Sequence, residues 1–230
     1  MAPENTMAAF REAIAIGADG IEFDVRLTRD GVPVVIHDST LRRTGGSNQR
    51  VADLTLQELK KIDVGSWFMN GSFAGETVPS LAELFDLFQT NDRSLYLEMK
   101  CESPLEYRPL AEACCRMIDE YSFKERVVVE CFQLPALEVL KEIDRDIKTA
   151  ALFDRAFMEY GIVARATEIG AMAVALHHRL ARGGLVEKSK QAGLHVAVWT
   201  VDDPIWLDRA RAIGIDALIT NDPARMIKLG

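Results

Sequence analysis

Apolar and polar positions along the chain fall into two alternating rhythms. From residue 79 onward, amphipathic stretches at helical spacing (79–90, 104–121, 134–144, near 159–169, 183–192 and 204–213) alternate with short apolar runs. The runs are "LYLEMK" (95–100), "RVVVECF" (126–132), "KTAALF" (148–153), "AMAVAL" (171–176), "HVAVWTV" (195–201) and "DALIT" (216–220). Short apolar strands between amphipathic helices predict a parallel sheet covered by helices. Upstream, Asn5 is placed to cap a helix carrying Met7, Phe10, Ala13 and Ile14, which Gly17 ends. Strand 20–25 follows, then a turn at Asp30-Gly31 and a returning arm, "VPVVIH", the pattern of a hairpin. With the arm set aside, seven strands remain, one short of a (β/α)₈ barrel of about 250 residues. A doubly wound open sheet is the alternative. No Gly-rich phosphate loop follows a strand, and polar residues end several different strands, so a TIM-type α/β barrel spanning 1–230 is expected.

One strand breaks the usual rule. In "GIEFDV" the apolar Ile21, Phe23 and Val25 alternate with Glu22 and Asp24, so both carboxylates share one face. Glu98 and Lys100 repeat that parity on the next barrel strand. Placed at the C-terminal mouth, Glu22, Asp24 and Glu98 would repel one another by roughly 4 kcal/mol per pair at about 4 Å and an effective dielectric near 20. Lys100 offsets part of this, and a hard divalent cation with oxygen ligands would neutralise the rest. A hairpin turning at Asp30-Gly31 sets residue 37 opposite residue 24, which would bring the His37 imidazole beside that corner. Glu130, Cys131 and Phe132 end the third strand; His177 and His178 follow the fifth. His195 begins its strand and is read as structural.

Composition narrows the rest. The 230 residues carry a net charge of −8 and a pI near 5.1, with no basic tract, which argues against a nucleic-acid footprint. No run of 18 apolar residues occurs, so no membrane span is expected. Four cysteines without C-x-x-C spacing, two of them adjacent on a predicted helix, are read as reduced thiols in a cytoplasmic protein.

"PENTMAAFREAIAIGADGIEFDVRLTRDGVPVVIHDSTLRRT", "VADLTLQEL", "LYLEMK", "VWTV" and "GIDALITNDP", in that order, resemble the glycerophosphodiester phosphodiesterases over nearly the whole chain. The resemblance implies a TIM barrel with an insertion after its second strand, here 25–77. It implies Glu22, Asp24 and Glu98 as ligands of one Mg²⁺ or Ca²⁺, Lys100 on the phosphate, and His37 as one of two acid/base histidines. Phe132 and Trp199 would wall the cleft, and Glu4 of "PENT" would stand at its mouth. The implied reaction cleaves a glycerophosphodiester, a small-molecule partner, to glycerol 3-phosphate and an alcohol. Family members place a strand ending in His-Arg-Gly before "PENT", and that strand is absent from these 230 residues. The expectation is therefore seven parallel strands, an edge beside Ile21–Val25 left open or covered by a neighbouring copy, and little turnover. Two alternatives stay open. One is an impaired barrel that binds cation and phosphodiester. The other is a lysophospholipase D-type enzyme with an apolar groove on 66–75 (Trp67, Phe68, Met69, Phe73).

Overall fold

The computed structural model describes residues 1–157 and 161–230. Helix α1 (Met7–Ala15) leads into strand β1 (Gly20–Leu27), which turns back as β2 (Pro33–Val35). Two helices follow, α2 (Leu56–Leu59) and α3 (Leu81–Phe88). The alternation then runs β3 (Ser94–Met99), α4 (Pro104–Glu120), β4 (Val127–Cys131), α5 (Leu134–Ile143) and β5 (Lys148–Phe153). It ends with α6 (Ile162–Glu168), β6 (Ala173–His177), α7 (Gly183–Gln191), β7 (His195–Trp199), α8 (Ile205–Ile213), β8 (Ala217–Leu218) and α9 (Pro223–Leu229). The helix expected near 159–169 lies partly outside the described residues.

All eight strands form one sheet in the order β2-β1-β3-β4-β5-β6-β7-β8, parallel throughout except for the antiparallel β1–β2 arm. Among the described residues β8 pairs only with β7, and β1 pairs with β3 and, over Val25–Leu27, with β2. The seven parallel strands thus form a curled α/β barrel wall that does not close on itself.

Parity sorts the side chains. Phe23, Val25, Leu97, Val129, Val174 and Val198 point outward and join the main core beneath the helices. The inner face holds two smaller layers: Val128, Ala150 and Ala173, then Leu152, Ala175 and Ala197 with Phe132 and Trp199. Beside Tyr96 and Val128, inward positions of β1, β3 and β4 are occupied by charged groups. That answers why an otherwise apolar strand carries two carboxylates: its outer face supplies the core, and its inner face is free for polar chemistry.

Residues 34–78 bury a separate cluster (Val34, Ile36, Leu41, Val51, Leu54, Leu59, Val64 and Val78), so the long excursion before α3 has a small core of its own. Two capping boxes punctuate it. Thr55 and Glu58 start α2, and Ser80 and Glu83 start α3, each pair exchanging side-chain and backbone bonds.

Two local expectations are corrected. Asn5 does not cap α1. Thr6 does, accepting from the Ala9 amide at 3.3 Å while its hydroxyl donates to the Pro3 carbonyl at 2.7 Å. Asn5 instead takes φ of 53°, a conformation asparagine tolerates, and its side chain turns to β1. The hairpin is also longer than a two-residue turn. Thr28 pairs with Val32 across three residues, closed by the Gly31 amide on the Thr28 carbonyl with Gly31 at φ +74°. The register becomes Val25↔Val35, and the Ile36 amide meets the Asp24 carbonyl at 2.9 Å, so Ile36 rather than His37 stands opposite Asp24.

Gly31→Ala should lower stability by about 1 kcal/mol in urea unfolding. The cost comes from backbone strain alone, because an added Cβ meets nothing within 4 Å.

Candidate functional site

The inward charged residues converge. Ladder register sets Asp24 beside Glu98, and Glu98 beside Glu130. Glu22 lies one inward position below Asp24. One carboxylate oxygen each from Glu22, Asp24 and Glu98 lies within 4.8 Å of the others. The Lys100 amide continues the ladder onto the Val25 carbonyl, which keeps Lys100 in phase with Glu98. Its ammonium sits 2.6 Å from Glu98 Oε1 and 3.0 Å from Asp24 Oδ1. Lys100, Asp24 and Glu98 are all buried or nearly so, whereas Glu22 has no cationic partner among the described residues.

Such crowding changes proton affinities. Burial, and then the charges of Asp24, Glu130 and Glu98, push the Glu22 carboxyl well up, against the opposing pull of Lys100. Glu98 is pushed up to about 7 by burial, with Lys100 pulling it down and Asp24 pushing it further. Lys100 moves the other way for an amine: burial lowers it, but Asp24 and Glu98 outweigh that and raise it. The cluster therefore holds surplus negative charge in a place that resists it. Its donors are all hard oxygens, the set that suits Mg²⁺ or Ca²⁺.

Asn5 orients this group. Its Nδ2 donates to Asp24 Oδ2 at 2.7 Å, and its Oδ1 accepts the Asp24 amide at 3.2 Å. With Ile36 on the Asp24 carbonyl, both main-chain groups of Asp24 on the side away from β3 are satisfied without another strand.

His37 reaches the same region from the arm, directly after Ile36, whose amide bonds the Asp24 carbonyl. Its Nδ1 lies 2.7 Å from Asp38 Oδ1. Arg43 binds both Asp38 oxygens, at 2.8 and 3.1 Å, and grips Glu4 through two bonds of 2.6 and 2.7 Å. Arg43 chiefly, with His37 assisting against the effect of partial burial, holds the Asp38 carboxyl down near 2. An ionised Asp38 can only accept, so the hydrogen in its bond to His37 belongs to the imidazole Nδ1, leaving Nε2 as a free acceptor. Arg26 fastens the backbone, donating from Nε to the His37 carbonyl at 2.9 Å. Glu4, Asn5, Ile36, His37, Asp38 and Arg43 line one small cavity. Glu4 stands outside the three-carboxylate group, held by Arg43.

Beyond Lys100 the mouth is aromatic. The ammonium is 5.8 Å from the Phe132 ring centre, Phe132 meets Trp199 edge-on at 5.4 Å, and Trp199 meets His177 at 5.1 Å. Trp199 is fixed by its indole N–H on the Ala175 carbonyl at 3.2 Å. His195 lies at the opposite end, 3.8 Å from Asp216. Cys131 packs in the outer core with its thiol on the Met99 carbonyl. The apolar run 66–75 folds on itself: Trp67 stacks edge-on with Phe68, and Phe68 with Phe73, around the Asp63 carboxylate, which accepts the Gly65, Ser66 and Gly75 amides. Sequence reasoning missed Asn5, Arg26, Asp38 and Arg43 as members of this site. The "HDSTLRRT" stretch carried the signal for two of them, a carboxylate adjacent to the histidine and an arginine five residues on.

Residues 1–225 match the model of the glycerophosphoryl diester phosphodiesterase family. The chain belongs to that family. It is 38% identical to the glycerophosphodiester phosphodiesterase of Caldanaerobacter subterraneus subsp. tengcongensis over 227 residues, 99% of this chain and 92% of that protein. Human glycerophosphodiester phosphodiesterase 1 is 32% identical over 151 residues, 65% of this chain and 44% of the human protein. Among solved structures, an Oleispira antarctica phosphodiesterase in complex with the product sn-glycerol-3-phosphate superposes with a TM-score of 0.91 at 26% identity, covering 99% of this chain and 91% of that one. A glycerophosphoryl diester phosphodiesterase from Silicibacter pomeroyi, described as putative, also gives 0.91 at 26% identity, covering 100% and 88%. The barrel architecture is thus that of the phosphodiesterase family. No helix among the described residues is long and apolar enough to cross a membrane.

Two measurements follow from the charge balance. For Glu98 the folded carboxyl holds its proton more tightly than the unfolded one, near 4.3. Its contribution to stability is full below about pH 4.3 and is lost as pH rises through about 7. The metal-free protein should melt several degrees lower at pH 8 than at pH 5, and Mg²⁺ or Ca²⁺ should raise Tm more at pH 8 than at pH 5. Lys100→Met strands two buried carboxylates and should cost about 3–5 kcal/mol in the metal-free protein by denaturant unfolding, part of it recovered by adding the cation.

Proposed function

We propose that this protein hydrolyses glycerophosphodiesters, releasing glycerol 3-phosphate and an alcohol, with one Mg²⁺ or Ca²⁺ held by Glu22, Asp24 and Glu98. The observation that carries the reading is the convergence of those three carboxylates beside Lys100, with an imidazole anchored at the same mouth. The bound cation supplies Lewis-acid polarisation of phosphate oxygens. Lys100 gives the substrate phosphate a charged donor, and the Phe132–Trp199 pair offers an apolar wall for the carbon skeleton. Water attacks phosphorus while the bond to the departing alcohol oxygen breaks, or a glycerol hydroxyl does so first and water then opens the resulting cyclic phosphate to glycerol 3-phosphate. His37 Nε2 takes the proton of the attacking hydroxyl or water, Asp38 stabilises the imidazolium that results, and the departing alkoxide takes its proton from solvent water. Arg43 keeps Asp38 ionised and Glu4 keeps Arg43 in place, so Glu4 serves the proton transfer at a distance.

Four buried free cysteines support assignment to a reducing compartment, the cytoplasm. The net charge of −8 supports a small-molecule partner over nucleic acid.

The test is release of glycerol 3-phosphate from glycerophosphocholine by the whole gene product. Hydrolysis should require Mg²⁺ or Ca²⁺ and vanish with a chelator. Cation-independent hydrolysis, or none by a protein that binds cation normally, would overturn the reading. His37→Ala should lower kcat by about 10²–10⁴-fold with little change in cation affinity. Asp38→Asn should cause a smaller loss in the same direction, because an amide no longer dictates which imidazole nitrogen carries the hydrogen.

A further inference from the structure

Glu130 takes no part in the reaction described above, yet its position is unusual. It lies on β4 directly beside Glu98 in the ladder. Its neighbours Val129 and Cys131 both pack into the outer core, which turns the Glu130 side chain to the inner face. It is 1% exposed, and its Oε2 has no hydrogen-bond partner among the described residues. A buried carboxylate oxygen without a partner is rare in folded proteins, and an apolar side chain would fill the same space at lower cost. Glu130 is also not one of the three carboxylates whose oxygens converge within 4.8 Å, so it does not share their common focus.

We propose that Glu130 is a positioning residue for the cation, accepting hydrogen bonds from water on the ion held by Glu22, Asp24 and Glu98, and adding its charge to the site. The inference rests on the cation reading above. When all four carboxylates are ionised around a bound divalent ion, their charge exceeds what that ion and Lys100 together cancel, so the Glu130 carboxylate favours retention of the ion. From outside the coordination shell it orients the water ligands, which then receive a fixed direction rather than tumbling against apolar wall. Carboxylates in this outer position usually change metal affinity about 10–100-fold when removed.

The experiment titrates Ca²⁺ and Mg²⁺ separately into metal-free wild type and Glu130→Gln by calorimetry, alongside melting of each metal-free protein. Glutamine keeps the shape and removes the charge. Kd for both ions should rise about 10–100-fold in Glu130→Gln, while the metal-free variant melts no lower than wild type. Terbium(III) luminescence lifetimes in H₂O and D₂O should count the same number of bound waters in both proteins. An extra water in the variant would make Glu130 a direct ligand and overturn the outer placement. Affinity within twofold of wild type would overturn the proposal, and a lower melting temperature alongside it would mark Glu130 as a packing residue. Should Glu130→Gln fail to fold, Glu130→Asp retains the charge and should bind within a few-fold of wild type. A loss of 10-fold or more in Glu130→Asp would overturn the role assigned to charge. A wild type that binds neither ion overturns the cation reading itself, whereas unchanged binding in the variants overturns only this inference.

Discussion

The ammonium of Lys100, shared between Asp24 and Glu98, is the contact on which the interior depends. A parallel sheet buried on both faces normally fills its inner positions with aliphatic side chains. Here three adjacent strands carry acids at inner positions beside Tyr96 and Val128, and one lysine in phase with Glu98 is the only internal cation set against them among the described residues. This arrangement is tolerable because the two faces of each strand are decoupled. Phe23, Val25, Leu97 and Val129 anchor β1, β3 and β4 to the helices outside, whatever the inner face carries. The stability of the wall is built on one side and the chemistry on the other.

The imidazole arrives by a different route. It stands just past a three-residue strand rather than in the wall, and a side-chain scaffold compensates for that short anchor. Arg26 reaches from β1 to its carbonyl, Asp38 holds its ring, and Arg43 joins Asp38 to Glu4 at the start of the chain. The separate apolar cluster under residues 34–78 gives the scaffold a floor. The site thus unites two bodies of structure: a rigid acidic wall, and a loop whose geometry is held by charge-assisted hydrogen bonds.

How much of this was legible in the sequence follows from the range of the forces involved. Periodicity of two along "GIEFDV" and "LYLEMK" announced the carboxylates and Lys100 on one face, because strand parity is a local property of the backbone. The seven parallel strands were readable for the same reason. The bonds from Asn5 to Asp24 and from Arg43 to Glu4 join residues 19 and 39 apart, and no local rule foretells them. Asn5 was misread because asparagine and threonine both cap helices well; Thr6, one residue nearer, took the position and released Asn5. Glu130 was visible at a strand end, but its lack of a partner is a property of three-dimensional packing alone. The hairpin register failed by one residue because "DG" serves both two- and three-residue turns, and only closure on Thr28 distinguishes them.

That one residue carries a consequence for how this loop tolerates change. With three residues between Thr28 and Val32, Val35 falls into the barrel's core while Val34 and Ile36 fall into the smaller one. Substitutions at Arg29 or Asp30 loosen the turn's bonds to the Asp53 carbonyl, to Glu58 and to the Leu56 amide but leave the parity of the arm intact, whereas slipping its pairing by one residue would exchange the two sets and send each valine to the wrong cavity. Register here behaves like a reading frame. A change of loop length that keeps Thr28 opposite Val32 preserves which side of the arm faces which core, and a slip of the pairing by one residue scrambles it.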